Sequence, residues 1–379
     1  MLLPNPSLIV SGDRFWAAYR LTGSYEEAEA KAKDICLEQT VEFPEDLLPP
    51  GDIRTQVVGR LESLAPVGMD RWEAVISYAL ETTGFELTQF LNVLFGNVSI
   101  KPGVRLERFG LPASLLARFK GPRFGRAGLR EYLGVPERPL LCTALKPMGL
   151  SAAQLADLAY QCAIGGVDMI KDDHGLADQP FAPFNERVER CADAVARANR
   201  ETGRKVIYLP NVTAPADQII AKALFARQAG AGGLLVAPGL VGLDAMRRLA
   251  SDDRIGLPVM SHPAFQGSFV TSPDSGVSHY ALFGQIARLA GADATIYPNY
   301  GGRFAFSREE CRSIAEGTRA EMGPVRPIFP APGGGMTMDR VPEMLELYGR
   351  DVIFLIGGGL FRAGPDLVEN CRYFLKMIS

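Results

Sequence analysis

Apolar positions along the chain follow two rhythms, and the change between them divides the sequence. Up to about residue 120 the patterns are mixed. FWAAYRL alternates in the manner of a half-covered strand. YEEAEAKAKDICLEQ interleaves charged and apolar positions at helical spacing, with its acidic residues early, where the helix dipole favours them. TQVVGRLESL and FELTQFLNVLFGNV supply further strand and helix candidates. Together these predict an α+β unit. KGPRFGRAGLREYLGVPERP follows, rich in Gly, Pro and basic residues, and reads as a linker with a short helix.

From Pro139 short apolar, β-rich runs recur, at 140–145, 167–170, 206–209, 233–236, 258–260, 294–297, 327–329 and 352–356. Helical segments lie between most of them, including SAAQLADLAYQCAI, NERVERCADAVARANRET, ADQIIAKALFARQAG and HYALFGQIARLAG. Eight strands alternating with helices predict a parallel (β/α)8 TIM barrel. A doubly wound open sheet is the competing architecture, but it usually needs fewer strands. The domain division expected is 1–125 for the N-terminal α+β unit and 126–379 for the barrel.

Composition narrows the function classes. The chain has 379 residues, 47% hydrophobic and 22% charged, enough for two packed units. Its net charge of −3 and scattered Lys and Arg give no footprint for nucleic acid or an anionic membrane. No signal peptide or membrane span is visible, so a cytoplasmic location is expected. The six cysteines are widely spaced without a CxxC pair, and reduced, buried thiols are expected.

Catalytic groups of a barrel lie at the C-terminal ends of its strands. There the sequence places Thr143 and Lys146, then Lys171, Asp172, Asp173 and His174, then Asn211, Ser261 with His262, and Asn299 with Arg303. The last two strands end in Gly333–Gly334–Gly335 and Gly357–Gly358–Gly359. Glycine turns let backbone N–H groups approach an anion, and these two loops are where many barrels bind phosphate. A pair of tight turns with positive φ is the blander reading. In KDDH, strand alternation sends Lys171 and Asp173 to one face and Asp172 to the other. A carboxylate there suits a hard cation; a solvated charge cluster is the alternative. Trp16 and Trp72 read as core residues, His279 as a surface or packing histidine, and Asn185 as a helix cap.

These segments resemble the RuBisCO large chain. RPLLCTALKPMGLS is similar to the family's first barrel-strand motif and places Lys146 on its active-site lysine. GGVDMIKDDHG is similar to the second. The resemblance makes Lys171 the lysine that takes up CO2 as a carbamate, and Asp173 a Mg2+ ligand. PVMSHPAFQG places His262 on the fifth-strand histidine. ADATIYPNYGGRF places Arg303 where the family has a mobile-loop lysine. PAPGGGMTM and FLIGGGL resemble the phosphate loops and nominate Gly334, Gly335, Gly357 and Gly358. ICLEQTVE and LFGNV place Glu38 and Asn97 on residues contributed by a neighbouring subunit, which implies a homodimer. The N-terminal unit is then expected to be ferredoxin-like.

The departures point to a form IV, RuBisCO-like protein that does not fix CO2. His174 stands where the last metal ligand is a glutamate, Met148 where a second lysine serves carboxylation, and Pro263 where an arginine holds the second phosphate. An apolar stretch near Ile296 replaces a second-phosphate histidine. The expectation is a monophosphate substrate of sugar type. Its enolate would be stabilised by a divalent metal, Mg2+ or another such as Mn2+, Fe2+ or Zn2+ given His174. A base or a hydrogen-bond donor is the alternative role for His174. Candidate bases are the Lys171 carbamate, Lys146 and His262. Because His174 breaks the acidic ligand set, the first reading is a 3-oxo-isoapionate-4-phosphate transcarboxylase/hydrolase. The alternatives are 5-methylthioribulose-1-phosphate isomerase, 2,3-diketo-5-methylthiopentyl-1-phosphate enolase, and a barrel that binds a phosphorylated ligand without catalysis.

Overall fold

The computed structural model describes residues 4–304 and 306–379. In chain order the strands are β1 (Arg14–Thr22), β2 (Arg60–Gly68), β3 (Arg71–Ala79), β4 (Val104–Gly110), β5 (Leu140–Leu145), β6 (Met169–Asp172) and β7 (Ile207–Leu209). They continue as β8 (Leu234–Val236), β9 (Val259–Ser261), β10 (Gly276–Val277), β11 (Ala294–Pro298), β12 (Phe329–Gly333) and β13 (Ile353–Leu355). Two compact units form. The first holds the described residues up to Phe119, with Gln266–Gln285 and Glu321–Val325; the second holds Lys120–Phe265, Ile286–Ala320 and Arg326–Ser379. The units therefore interleave in sequence, where the division at 125/126 is a single cut.

In the first unit a five-stranded sheet runs β10-β4-β1-β3-β2. β1 pairs antiparallel with β3 and β4, and β10 joins β4 in parallel. The helix Tyr25–Glu38 starts in a capping box, with Ser24 Oγ accepting from Glu27 N and Glu27 Oε2 accepting from Ser24 N. Trp16 departs from the expectation of a core residue. The strand buries Phe15 and Ala17 on one face and turns Trp16 to the other, where it is 39% exposed above Gly110. Trp72 is half-buried and donates Nε1–H to Gly23 O at 3.1 Å. His279 is buried, the packing form of its two readings.

The second unit is a TIM barrel. Its strands form two parallel sheets, β13-β5-β6-β7 and β12-β11-β9-β8, linked by a parallel bridge between Asn211 and Leu235. All residues of β5 and β6 are buried, as expected for parallel strands covered on both faces. Alternate residues point inward, among them Cys142, Met169, Leu209, Leu235, Met260 and Phe329. They share one cluster with Leu129 and Leu133 of the helix Gly125–Leu133. That helix is the short one expected in the linker, and its apolar face packs into the barrel core. It is anchored by Asp293, whose carboxylate accepts from Phe124 N, Gly125 N and Val259 N at 2.7, 2.8 and 3.0 Å.

The helix Phe184–Thr202 is capped otherwise than expected. Asn185 lies inside it, and Asp178 Oδ1 accepts the first N–H, from Phe184, at 2.8 Å. All six cysteines are buried and free. Among the described residues no helix is long and apolar enough to cross a membrane.

Candidate active site

Met169 points into the barrel core, so Lys171, two residues on, faces the same interior at the strand's C-terminal end. It is 2% exposed, and its Nζ donates to Asp172 O at 3.0 Å. Burial lowers its pKa, which favours the neutral amine. Asp172 turns outward, as alternation demands, and meets the helix Phe184–Thr202. Its carboxylate accepts from Arg187 Nε at 3.1 Å, Tyr208 Oη at 2.7 Å and Asn211 N at 3.0 Å. Both side chains of the Arg187–Asp172 pair are fully buried. Asp172 is thus a fixed structural carboxylate, and Arg187, Tyr208 and the Asn211 backbone together hold the end of β6 in place.

The Asp173 carboxylate has different partners. Lys146 Nζ lies 2.9 Å from its Oδ1, and His174 Nδ1 lies 3.6 Å from its Oδ2. Burial works to raise the Asp173 carboxyl. Hydrogen bonding from His174 and Lys146, with the Lys146 and Lys171 charges, overrides this and holds it well below the usual carboxylate range. The rings of His174 and His262 stack at 4.5 Å with 10° between planes. His262 is pushed down to about 2, first by burial, then by Lys171 and His174. Its Nδ1 accepts the backbone N–H of Ala264 at 3.1 Å. A backbone donor cannot change role, so the neutral ring carries its proton on Nε2. Asn211 closes this side by donating to His174 O and Leu176 O.

The glycine loops meet the same end of the barrel. Gly334 and Gly335 have φ of +79° and +104°, a region that glycine enters without strain. Arg303 N donates to Gly334 O at 3.0 Å, and a Cβ on Gly335 would stand 2.9 Å from that same nitrogen. A Cβ on Gly357 would stand 3.4 Å from Lys146 Cε, whereas Gly358 faces open space. The structure therefore gathers Lys146, Lys171, Asp173, His174 and His262, with Arg303 beside Gly334 and Gly335 and Lys146 beside Gly357. Met148 is 50% exposed at the edge, where a Cβ on Gly175 would meet its methyl at 2.7 Å. Glu38 and Asn97 lie in the first unit, and Asn97 Nδ2 donates to Glu38 Oε1 at 3.0 Å. Arg187 and Tyr208 were not singled out in the sequence. The outward face assigned to Asp172 was the signal that a partner must wait there.

The family described as ribulose bisphosphate carboxylase large chain, catalytic domain, matches residues 125–364. The chain belongs to that family. Ribulose bisphosphate carboxylase-like protein 1 of Rhodopseudomonas palustris is 41% identical over 97% of this chain and 98% of its own length. The 5-methylthioribulose-1-phosphate isomerase of Rhodospirillum rubrum is 40% identical over 97% and 96%. The crystal structure of a RuBisCO-like protein from Rhodopseudomonas palustris aligns with a TM-score of 0.87 at 39% identity, covering 96% and 97% of the two chains. Within the RuBisCO family the protein stands with the form IV, RuBisCO-like members, and it is an enzyme of that kind rather than a carboxylase.

Proposed function

We propose that the protein isomerises a methylthio-ketose monophosphate, with 5-methylthioribulose 1-phosphate as its substrate. The observation that carries this reading is the 40% identity, over nearly the whole of both chains, to an isomerase of that name. The transcarboxylase/hydrolase reading rested on His174 alone. In the structure His174 lies between Asp173 and the His262 ring, a place that serves an isomerase equally well.

The phosphate is held by the N–H groups of Gly334, Gly335, Gly357 and Gly358, with Arg303 as the cation. The other substrate end meets Pro263, which carries no charge to hold a second phosphate. Lys171, whose ammonium burial disfavours, attacks CO2 as the free amine; an N–C bond forms and one proton leaves, giving a carbamate. Among the described residues no three His, Cys, Asp or Glu side chains gather for a metal. Asp173 and His174 supply two donors, so the site fits a divalent cation with the Lys171 carbamate as the third. Mg2+ held there would supply Lewis acidity toward the ketone oxygen.

The proton on the carbon beside the ketone passes to Lys171 in its carbamate form. Lys146, through Nζ, and His262, through Nε2–H, donate to the enediolate oxygens. Return of the proton to the neighbouring carbon completes the isomerisation, and no carbon–carbon bond breaks. His262 is thereby a donor, because its Nδ1 is committed to Ala264 N. Glu38 and Asn97 complete the site from a partner subunit in a homodimer.

The test is 31P NMR of the protein with Mg2+ and bicarbonate, offered 5-methylthioribulose 1-phosphate, 3-oxo-isoapionate 4-phosphate and ribulose bisphosphate in turn. Conversion of the first alone is expected. Cleavage of the second restores the hydrolase reading.

A further inference from the structure

A second cavity opens at the opposite, N-terminal end of the barrel strands. Its volume is about 1120 Å3, somewhat above the roughly 300–1,000 Å3 typical of ligand sites. The linker helix Gly125–Leu133 forms one wall and the helix Phe184–Thr202 the other. The start of β7 and the turn Gly230–Gly232 form the floor. Small residues such as Gly128 and Ala196 keep the space open.

The lining is strongly basic in a protein of net charge −3. Arg123 and Arg126 already reach Asp253 and Asp351. Arg204, Lys205 and Arg326 have no carboxylate partner among the described residues, although Arg326 donates to Arg123 O. Glu131 is the one carboxylate among the described lining residues. Three uncompensated cations around one concavity raise the local concentration of anions. Beside them, Phe124 and Tyr132 pack with ring centroids 5.3 Å apart and give one wall an aromatic surface. Flat apolar groups are held on such surfaces by burial and stacking.

We infer that this cavity is a second binding site, for an organic phosphate that carries a flat ring, of the nucleotide class. The phosphates sit on Arg204, Lys205 and Arg326, and the ring lies against Tyr132. None of these residues belongs to the catalytic machinery at the other end of the strands.

Isothermal titration of the whole protein with ADP and with pyrophosphate tests the inference. ADP is expected to bind with a micromolar Kd, and pyrophosphate about tenfold more weakly. R204E/K205E should weaken ADP at least about tenfold while sugar-phosphate turnover and Tm stay unchanged. Y132A should weaken ADP but not pyrophosphate. Absence of ADP binding, equal binding of pyrophosphate, indifference to the charge reversal, or displacement of ADP by the sugar phosphate would each overturn it.

Discussion

Burial and strand alternation act together at Lys171. The inward position follows from Met169 two residues earlier, and the low exposure disfavours the ammonium. Alternation made this legible in the sequence; the depth of burial needed the fold. His262 is the converse case. The sequence offered it as a base, yet its Nδ1 accepts from Ala264 N, which only the backbone path after β9 decides. The two roles separate by substitution. H262Q keeps an N–H donor and should retain more activity than H262L, whose loss is expected at about 10²-fold in kcat. Equal loss in both variants would return His262 to the role of base. Because its pKa lies near 2, His262 stays neutral at working pH. A profile of kcat/KM from pH 5 to 9 should show no limb that disappears in H262Q.

The turn after β6 depends on what packs behind it. R187M strips the partner from a fully buried carboxylate, and a loss of about 3–5 kcal/mol is expected by urea unfolding. D172N/R187M should recover part of that loss; a double variant no better than R187M would deny the coupling. Asp293 plays a similar part at the linker helix. Burial lifts its carboxyl to about 6, against an ordinary 3.8. The folded state therefore binds this proton more tightly than the unfolded chain. The stability it contributes is present below pH 3.8 and lost as pH rises through about 6. D293N lacks that dependence and leaves the Val259 N–H facing an amide donor. Its cost relative to wild type should be larger at pH 4.5 than at pH 7.5, as read by chemical denaturation; a cost that grows with pH contradicts the assignment. The barrel strands and the linker helix were readable from apolar runs and Gly/Pro punctuation. The cap by Asp178 and the outward turn of Trp16 were not, since both depend on partners distant from the local pattern.

At the scale of the molecule, the ordered set of strand-end motifs carried the family, and the fold followed from it. The interleaving of 266–285 into the first unit was hidden, because β10 is only two residues long and pairs far from its sequence neighbours. The choice between isomerase and hydrolase was hidden too: His174, beside Asp173 and the His262 ring, suits either chemistry. A homodimer with shared sites makes a specific demand. Mixing inactive N97A with inactive K171A protein, after subunit exchange, should restore up to about a quarter of wild-type activity, because one site per mixed dimer is intact. Activity that never returns would place Asn97 outside the partner's site.

The most direct measurement follows 5-methylthioribulose 1-phosphate in D2O with Mg2+ and bicarbonate, by 31P NMR and mass spectrometry together. The account predicts one isomeric phosphate, its mass changed only by deuterium at the exchanging carbon, with no free phosphate and no shortened chain. Recovery of unchanged, unlabelled substrate, while 3-oxo-isoapionate 4-phosphate is cleaved under the same conditions, would contradict it.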